Sequence, residues 1–330
     1  MGDRPEYRLA HNENPHAPAE DVAAALHATI TEVNRYPEFR PERLTGLLAE
    51  WQDVPPASVA VGQGAGGVAH DLFRALLRPG DNVVSTVPGF DLYPMLCAMT
   101  DTNAVTVPMD AGGHNDLTAL AESIDDRTRL VIVCNPHNPT GTLADWARLT
   151  AFFERVPVHV TILLDEAYID FAPDFDGPSA RDRLSAWPNL VILRTFSKSH
   201  ALAALRVGYA LASAALVERI RRHQLPFGMN QFQLDAVRAA LGAEHETRER
   251  IADLVNQRDR VRTELLRLGW TVPDSRANFL WLADAERVEP AVAALTRAGV
   301  AVRPYPGRGI RLTVGRKQDN DAVLAALSEV

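Results

Sequence analysis

Several features that would narrow the class of this chain are missing from it. Its 330 residues include two cysteines, Cys97 and Cys134. That is too few for a disulfide framework, so a reducing cytoplasm is the expected location. No stretch approaches the ~18 consecutive apolar residues of a membrane span. Met1 is followed by charged residues rather than an apolar run, so neither an anchor nor a leader is expected. Positive charge is in deficit: 34 Lys and Arg against 42 Asp and Glu give a net charge of −8, with no basic stripe to displace counterions from a nucleic acid. The ten histidines are scattered without ligand spacing, and no metal is expected. No internal repeat or low-complexity stretch stands out. What remains, 46% hydrophobic and 23% charged residues, can build a large core in one or two domains.

Apolar runs without polar alternation recur at Ser58–Val61, Asn82–Val87, Ala104–Val107, Leu130–Cys134, Val160–Leu164, Val191–Leu193 and Val207–Leu211. Helical spacing separates most of them. Strands of this kind are covered on both faces, so the pattern predicts a mostly parallel sheet between helical layers, an α/β fold. Pro226-Phe227-Gly228 marks the clearest boundary, and a smaller α+β pattern follows it. The expected organisation is a large α/β domain over residues 31–225, with residues 1–30 joining 226–330 in a smaller one. The first nine residues read as a mobile polar arm.

Four stretches are candidates for chemistry. Gly62 to Gly67, G-Q-G-A-G-G, lies between a strand and a helix, where backbone N–H groups can face an anion. It also fits the dinucleotide spacing G-x-G-x-x-G, or a turn with no ligand. Cys134 to Gly141, C-N-P-H-N-P-T-G, puts an amide side chain at a strand's C-terminal end. Asp165, in L-L-D-E-A-Y, closes an apolar strand, where a carboxylate needs a partner to stay ionised; capping a helix is the plainer alternative. Lys198, in T-F-S-K-S-H, stands between two buried strands with Arg206 beyond it. Burial and a neighbouring cation lower an amine's pKa and make it a nucleophile toward carbonyls, although a lone loop lysine is more often solvated.

Taken in order, the glycine-rich turn, N-P-H-N-P-T-G, D-E-A-Y, T-F-S-K and Arg206 resemble the pyridoxal-phosphate aminotransferases of fold type I. More narrowly they resemble the histidinol-phosphate aminotransferase branch, which includes aromatic amino acid aminotransferases. The resemblance runs from N-E-N-P at Asn12 to R-L-T-V-G at Arg311. It implies that Lys198 holds pyridoxal 5′-phosphate as a Schiff base and moves the substrate proton, and that Asp165 pairs with the pyridine nitrogen. Asn138 and Tyr168 would donate to the ring's phenolic oxygen, and Phe90 would cover the ring face. The phosphate would be held by the backbone of Ala65 and Gly66 and by Thr195, Ser197 and Arg206. Tyr36, in N-R-Y-P, would reach the phosphate of a partner subunit, implying a homodimer. Arg303 and Arg311 would bind the acid groups of substrate. The implied reaction moves an amino group from an L-amino donor, with glutamate expected, to an oxo acid or oxo-phosphate.

Three features depart from this pattern. Only nine residues precede Ala10, whereas histidinol-phosphate aminotransferases carry a longer arm with a tyrosine for substrate phosphate. Gly66 and Gly67 stand where an acidic pair is frequent. His200 and Ala204 replace an aromatic residue and a glycine, and His200 is read as a ring-for-ring replacement in packing. Such changes fit a member serving a specialised pathway. The rival readings are a lyase of the threonine-phosphate decarboxylase type and a nicotinamide oxidoreductase using Gly62 to Gly67. The second leaves Lys198, Asp165 and Asn138 without a task.

Overall fold

The computed structural model describes residues 5–330. Its strands, numbered in chain order, form three sheets. The shortest pairs β1 (Tyr7–Arg8) with β10 (Val300–Ala301) in parallel. Three antiparallel strands, β9 (Phe279–Leu282), β11 (Arg303–Tyr305) and β12 (Gly309–Thr313), lie in the order β11-β12-β9. Seven build the main sheet: β2 (Val59–Gln63), β3 (Asn82–Val87), β4 (Asn103–Pro108), β5 (Thr128–Cys134), β6 (Thr161–Asp165), β7 (Leu190–Thr195) and β8 (Val207–Ala212). Their order is β2-β8-β7-β6-β5-β3-β4, with β8 antiparallel to both neighbours and the remaining pairs parallel.

The unbroken apolar runs have a simple cause. Successive side chains of β5 point to opposite faces, and both faces are dry. Val131 and Val133 join Ile162, Leu164 and Ile192 in one core, while Leu130 and Ile132 join Leu163, Val191 and Leu193 in another. The helices Glu42–Trp51 and Trp146–Arg155 cover the first face, and Gly64–Leu76 and Ala214–Arg221 cover the second. A third core, around Phe279, Leu280, Leu295 and Leu312, lies under the three-stranded sheet. The long helix Glu244–Arg267 adds Leu254, Val261 and Leu265 to it.

Two expectations change. The arm called mobile is ordered from Tyr7 onward, because β1 pairs with β10 and Leu9 is buried; residues 1–4 lie outside the described residues. The glycine-rich segment is also no loop. Gly62 and Gln63 complete β2, and Gly64 already opens the helix Gly64–Leu76. Residues 1–30 and 226–330 make contacts in both directions. The arm adds to the three-stranded part, whereas the helices Glu20–Thr29 and Gln231–Gly242 send Val22, Leu234 and Val237 into the core of the main sheet.

Candidate active site

Strand register brings the chemistry-bearing loops together. At one end of the main sheet Cys134 lies beside Asp165, and Asp165 beside Leu193. The end of β2 meets the start of antiparallel β8 at the same edge, with Gln63 opposite Val207. The crevice outside the carboxyl ends of the strands is where open α/β sheets bind ligands. A cavity of about 390 Å³ opens there, lined by every site residue expected from the sequence except Tyr36. Tyr36 lies elsewhere on the surface, 87% exposed, with its ring 5.2 Å from that of Phe227.

Lys198 is half-buried in this cavity, and its Nζ donates to the His11 carbonyl at 3.0 Å. Burial first, and then the positive charge of Arg311, pull its pKa from 10.5 to about 8. About a tenth of the amine is then neutral at pH 7, far more than for an ordinary lysine. Asp165 is buried at the end of β6. Its Oδ2 accepts from the Tyr93 hydroxyl at 2.5 Å and its Oδ1 from the Ala167 amide at 3.1 Å. Burial raises its pKa, and no basic side chain pairs with it among the described residues. Its sequence neighbour is the opposite case. Burial also pushes Glu166 upward, but Arg194, at 2.8 Å, and Arg183 bind it and hold its pKa below the usual value. Of two adjacent buried carboxylates, one is neutralised from behind and the other faces the cavity unpaired.

Tyr168 is buried beside the ring of Phe279, and burial raises the pKa of its phenol. The hydroxyl accepts from Asn12 Nδ2 at 3.0 Å, which leaves its own hydrogen available. Asn138 is equally buried; its Oδ1 accepts from Arg311 Nη1 at 2.7 Å, so its amide hydrogens remain as donors. The second Nη of Arg311 donates to the Ala10 carbonyl at 2.8 Å, while its Nε is buried without a partner. Phe90 stands over the cavity mouth, edge-on to Tyr93. Arg303 pairs with Asp91 at 2.5 Å.

At the other end of the cavity Thr195 Oγ1 donates to Ser197 Oγ at 2.9 Å, and Arg206 Nη1 approaches Ser197 Oγ at 3.4 Å. Ala65 and Gly66 lie in the first turn of the helix Gly64–Leu76, whose amides have no intrahelical acceptor. Gly64 has φ +72°, and a Cβ there would lie 2.3 Å from the Arg206 guanidinium. Only glycine leaves the cation room beside those amides. Backbone amides, two hydroxyls and a guanidinium form a nest for a phosphate.

These groups fit the cofactor that the sequence resemblance implies. The unpaired buried carboxylate of Asp165 suits a protonated ring nitrogen, and the Gly64–Arg206 cradle suits a phosphate. The amine of lowered pKa suits a carbonyl. His200 is not in the cavity wall; it packs against Phe196 and Trp51, as its packing reading expects. The sequence reading missed Tyr93, Asn12 as a side-chain donor, and Asp91. Tyr93 follows Phe90 by three residues, but its target lies 72 residues further on and leaves no local signal. Asn12 carried a faint one, a turn-forming asparagine with φ +52°, buried by its bonds to Tyr168 and Thr313.

Comparison with known proteins agrees with this geometry. The family model for aminotransferase class I and II matches residues 5–327. The aromatic amino acid aminotransferase of Streptomyces avermitilis is 42% identical over 318 residues, covering 96% of this chain and 89% of that protein. The protein of the same name from Thermobifida fusca is 41% identical over 317 residues, 96% of this chain and 88% of its own. The crystal structure of histidinol-phosphate aminotransferase from Sinorhizobium meliloti, in complex with pyridoxal-5′-phosphate, superposes with a TM-score of 0.93. It is 28% identical, over 99% of this chain and 91% of that one. With one family model spanning the chain and relatives above 40% identity along nearly all of it, the chain belongs to the class I and II aminotransferases.

Proposed function

We propose that this aminotransferase uses pyridoxal phosphate to exchange an amino group between aromatic L-amino acids and 2-oxo acids, with glutamate and its oxo acid as the second pair. The carrying observation is the convergence of Lys198, Asp165, Asn138, Tyr168, Arg206 and Arg311 on one cavity. The names of the 42% and 41% identical relatives support the substrate class.

When bound, pyridoxal phosphate supplies a carbonyl for amine exchange and a ring that takes up the electron pair left at Cα. In this reading Lys198 would hold the carbonyl, and its amine, released when substrate binds, would move the substrate's Cα proton. Asp165 keeps a proton on the ring nitrogen, and the Tyr93 hydroxyl fixes the carboxylate that does so. Asn138 and Tyr168 donate to the phenolic oxygen, and Phe90 shields the ring face from water. Ala65, Gly66, Thr195, Ser197 and Arg206 would hold the phosphate, while the Arg311 guanidinium would receive the substrate α-carboxylate. The larger unit (31–225) contributes the cofactor groups, and the smaller one (1–30 with 226–330) contributes Asn12, Arg303 and Arg311.

The active form in this reading is a cytoplasmic homodimer in which the partner subunit's Tyr36 reaches the phosphate. An exposed apolar patch supports it: Tyr36 and Phe39 both pack against Phe227, with Leu225 79% exposed nearby. No helix among the described residues is long and apolar enough to cross a membrane.

The deciding experiment is a spectral half-reaction. Protein mixed with pyridoxal phosphate should gain a visible band that L-phenylalanine or L-tyrosine bleaches and 2-oxoglutarate restores. Borohydride should fix the chromophore on the Lys198 peptide. Carbon dioxide release without restoration by the oxo acid would favour the decarboxylase reading instead.

A further inference from the structure

Two of the three arginines that line the cavity, Arg303 and Arg311, are not equivalent. Arg311 is buried, its Nη groups bond only to the neutral oxygens of Asn138 and Ala10, and its Nε has no partner. It is a cation waiting for an anion. Arg303 stands at the mouth with its side chain 47% exposed and its Nη2 on Asp91 Oδ2 at 2.5 Å. Asp91 directly precedes the helix Leu92–Met99, yet its carboxylate caps no helical amide and is free to engage Arg303. Tyr305, on the same strand as Arg303, walls the cavity beside this pair, braced by the ring of Trp281 at 5.2 Å. The Arg303 guanidinium lies 5.8 Å from the Tyr305 ring centre.

We propose that Asp91 is a specificity-determining residue. With Arg206 given to the cofactor phosphate, neutralising Arg303 leaves Arg311 as the one free anion site for substrate. The enzyme is thereby biased toward substrates with one carboxylate and an uncharged aromatic side chain, and away from those with a second carboxylate or a phosphate. The inference rests on the aminotransferase reading, with Arg311 on the α-carboxylate. A second anion has to take Arg303 from Asp91 while lying close to the displaced carboxylate. An aromatic side chain leaves the pair intact and stacks on Tyr305 and Phe90. Glutamate is the weaker-bound donor of the two. Exposed ion pairs are worth up to about 1 kcal/mol, so the bias from this pair is about five-fold.

Calorimetric titration of the holoenzyme with two unreactive acids, 3-phenylpropanoate and glutarate, tests this without turnover. In D91N, glutarate should bind about five-fold tighter while 3-phenylpropanoate stays within two-fold of wild type. R303Q should weaken glutarate, and in the D91N/R303Q double variant the gain from D91N should vanish. KM values for glutamate and L-phenylalanine should move the same way. An unchanged ratio of the two affinities in D91N, or a gain that survives R303Q, overturns the role of Asp91. Absence of the visible cofactor band in wild type overturns the underlying aminotransferase reading as well, so the two failures can be told apart.

Discussion

A nucleophilic amine held at about pH 8 by its surroundings has a thermodynamic cost that can be measured. Lys198 titrates near 10.5 when free and at about 8 in the folded chain. Between those values the unfolded chain keeps a proton that the folded chain has released, so stability rises with pH there; below about 8 the folded state carries the full penalty. At about 1.36 kcal/mol per pH unit the shift corresponds to about 3 kcal/mol. The side chain is only half-buried, and solvent screening reduces this to about 1–2 kcal/mol. Lys198→Met, which keeps the length and drops the charge, should therefore stabilise cofactor-free protein by about 1–2 kcal/mol at pH 7 in urea unfolding. The advantage should close by pH 10.5. The pKa itself is accessible because the chain has only two lysines, and the other, Lys317, is on the surface in an ion pair with Asp321. Trace acetylation across a pH series, read as two peptides, should give a midpoint near 8 for Lys198. Arg311→Gln should raise that midpoint, because the Arg311 charge is the largest cause after burial. A Lys198→Met variant no more stable than wild type at pH 7, or equally more stable at pH 10.5, would refute the reasoning.

Three further outcomes are expected. Asp165→Asn should bind pyridoxal phosphate yet lose at least about a hundred-fold in turnover, because an amide cannot hold the ring-nitrogen proton; a near-normal kcat would remove the electron-sink role. Gly64→Ala puts a methyl where the Arg206 guanidinium lies, at a positive φ that disfavours alanine. Cofactor affinity, followed by fluorescence, should fall at least about ten-fold, since an Arg206 contact to phosphate is charge-assisted and worth about 1.5–3 kcal/mol. His137 is buried with its pKa lowered from 6.5 to about 4, mainly by burial. The unfolded chain gains a proton as pH falls through 6.5 that the folded chain refuses until about 4, so stability falls by up to about 3 kcal/mol over that window. Urea midpoints for His137→Gln should fall less than those of wild type between pH 7 and pH 4.5, and parallel curves would contradict this.

The sequence made some parts of this protein legible for identifiable reasons. Strand positions showed because β5, β6 and β7 are covered on both faces and so read as unbroken apolar runs. Lys198, Asp165 and Arg206 stood out as polar residues at or near the ends of such runs, whereas the cofactor roles expected of them and of Asn138 come from the family resemblance. The misses share the opposite trait. The bonds of Tyr93 to Asp165 and of Asn12 to Tyr168 join distant segments, and neither donor interrupts an apolar pattern. The two-residue strands β1 and β10 are too short for any periodicity, so their pairing emerges only in three dimensions. The glycine-rich segment was legible as the junction of a strand and a helix, but not that the helix begins as early as Gly64.

The place of β8 has a consequence for synthesis on the ribosome. In the finished sheet β2 touches only β8, and β8 separates it from β7. The nascent chain therefore makes Val59–Gln63 early and supplies its sole pairing partner only with Val207–Ala212. At typical elongation rates of about 5–20 residues per second that delay is roughly 7–30 seconds. Meanwhile four apolar positions of β2 have exposed backbone donors and acceptors, a template for association with other chains. The arrival of β8 pairs one side of β2 and, in the same step, brings Arg206 against Gly64. The strand that completes the phosphate nest is also the one that joins β2 to the sheet.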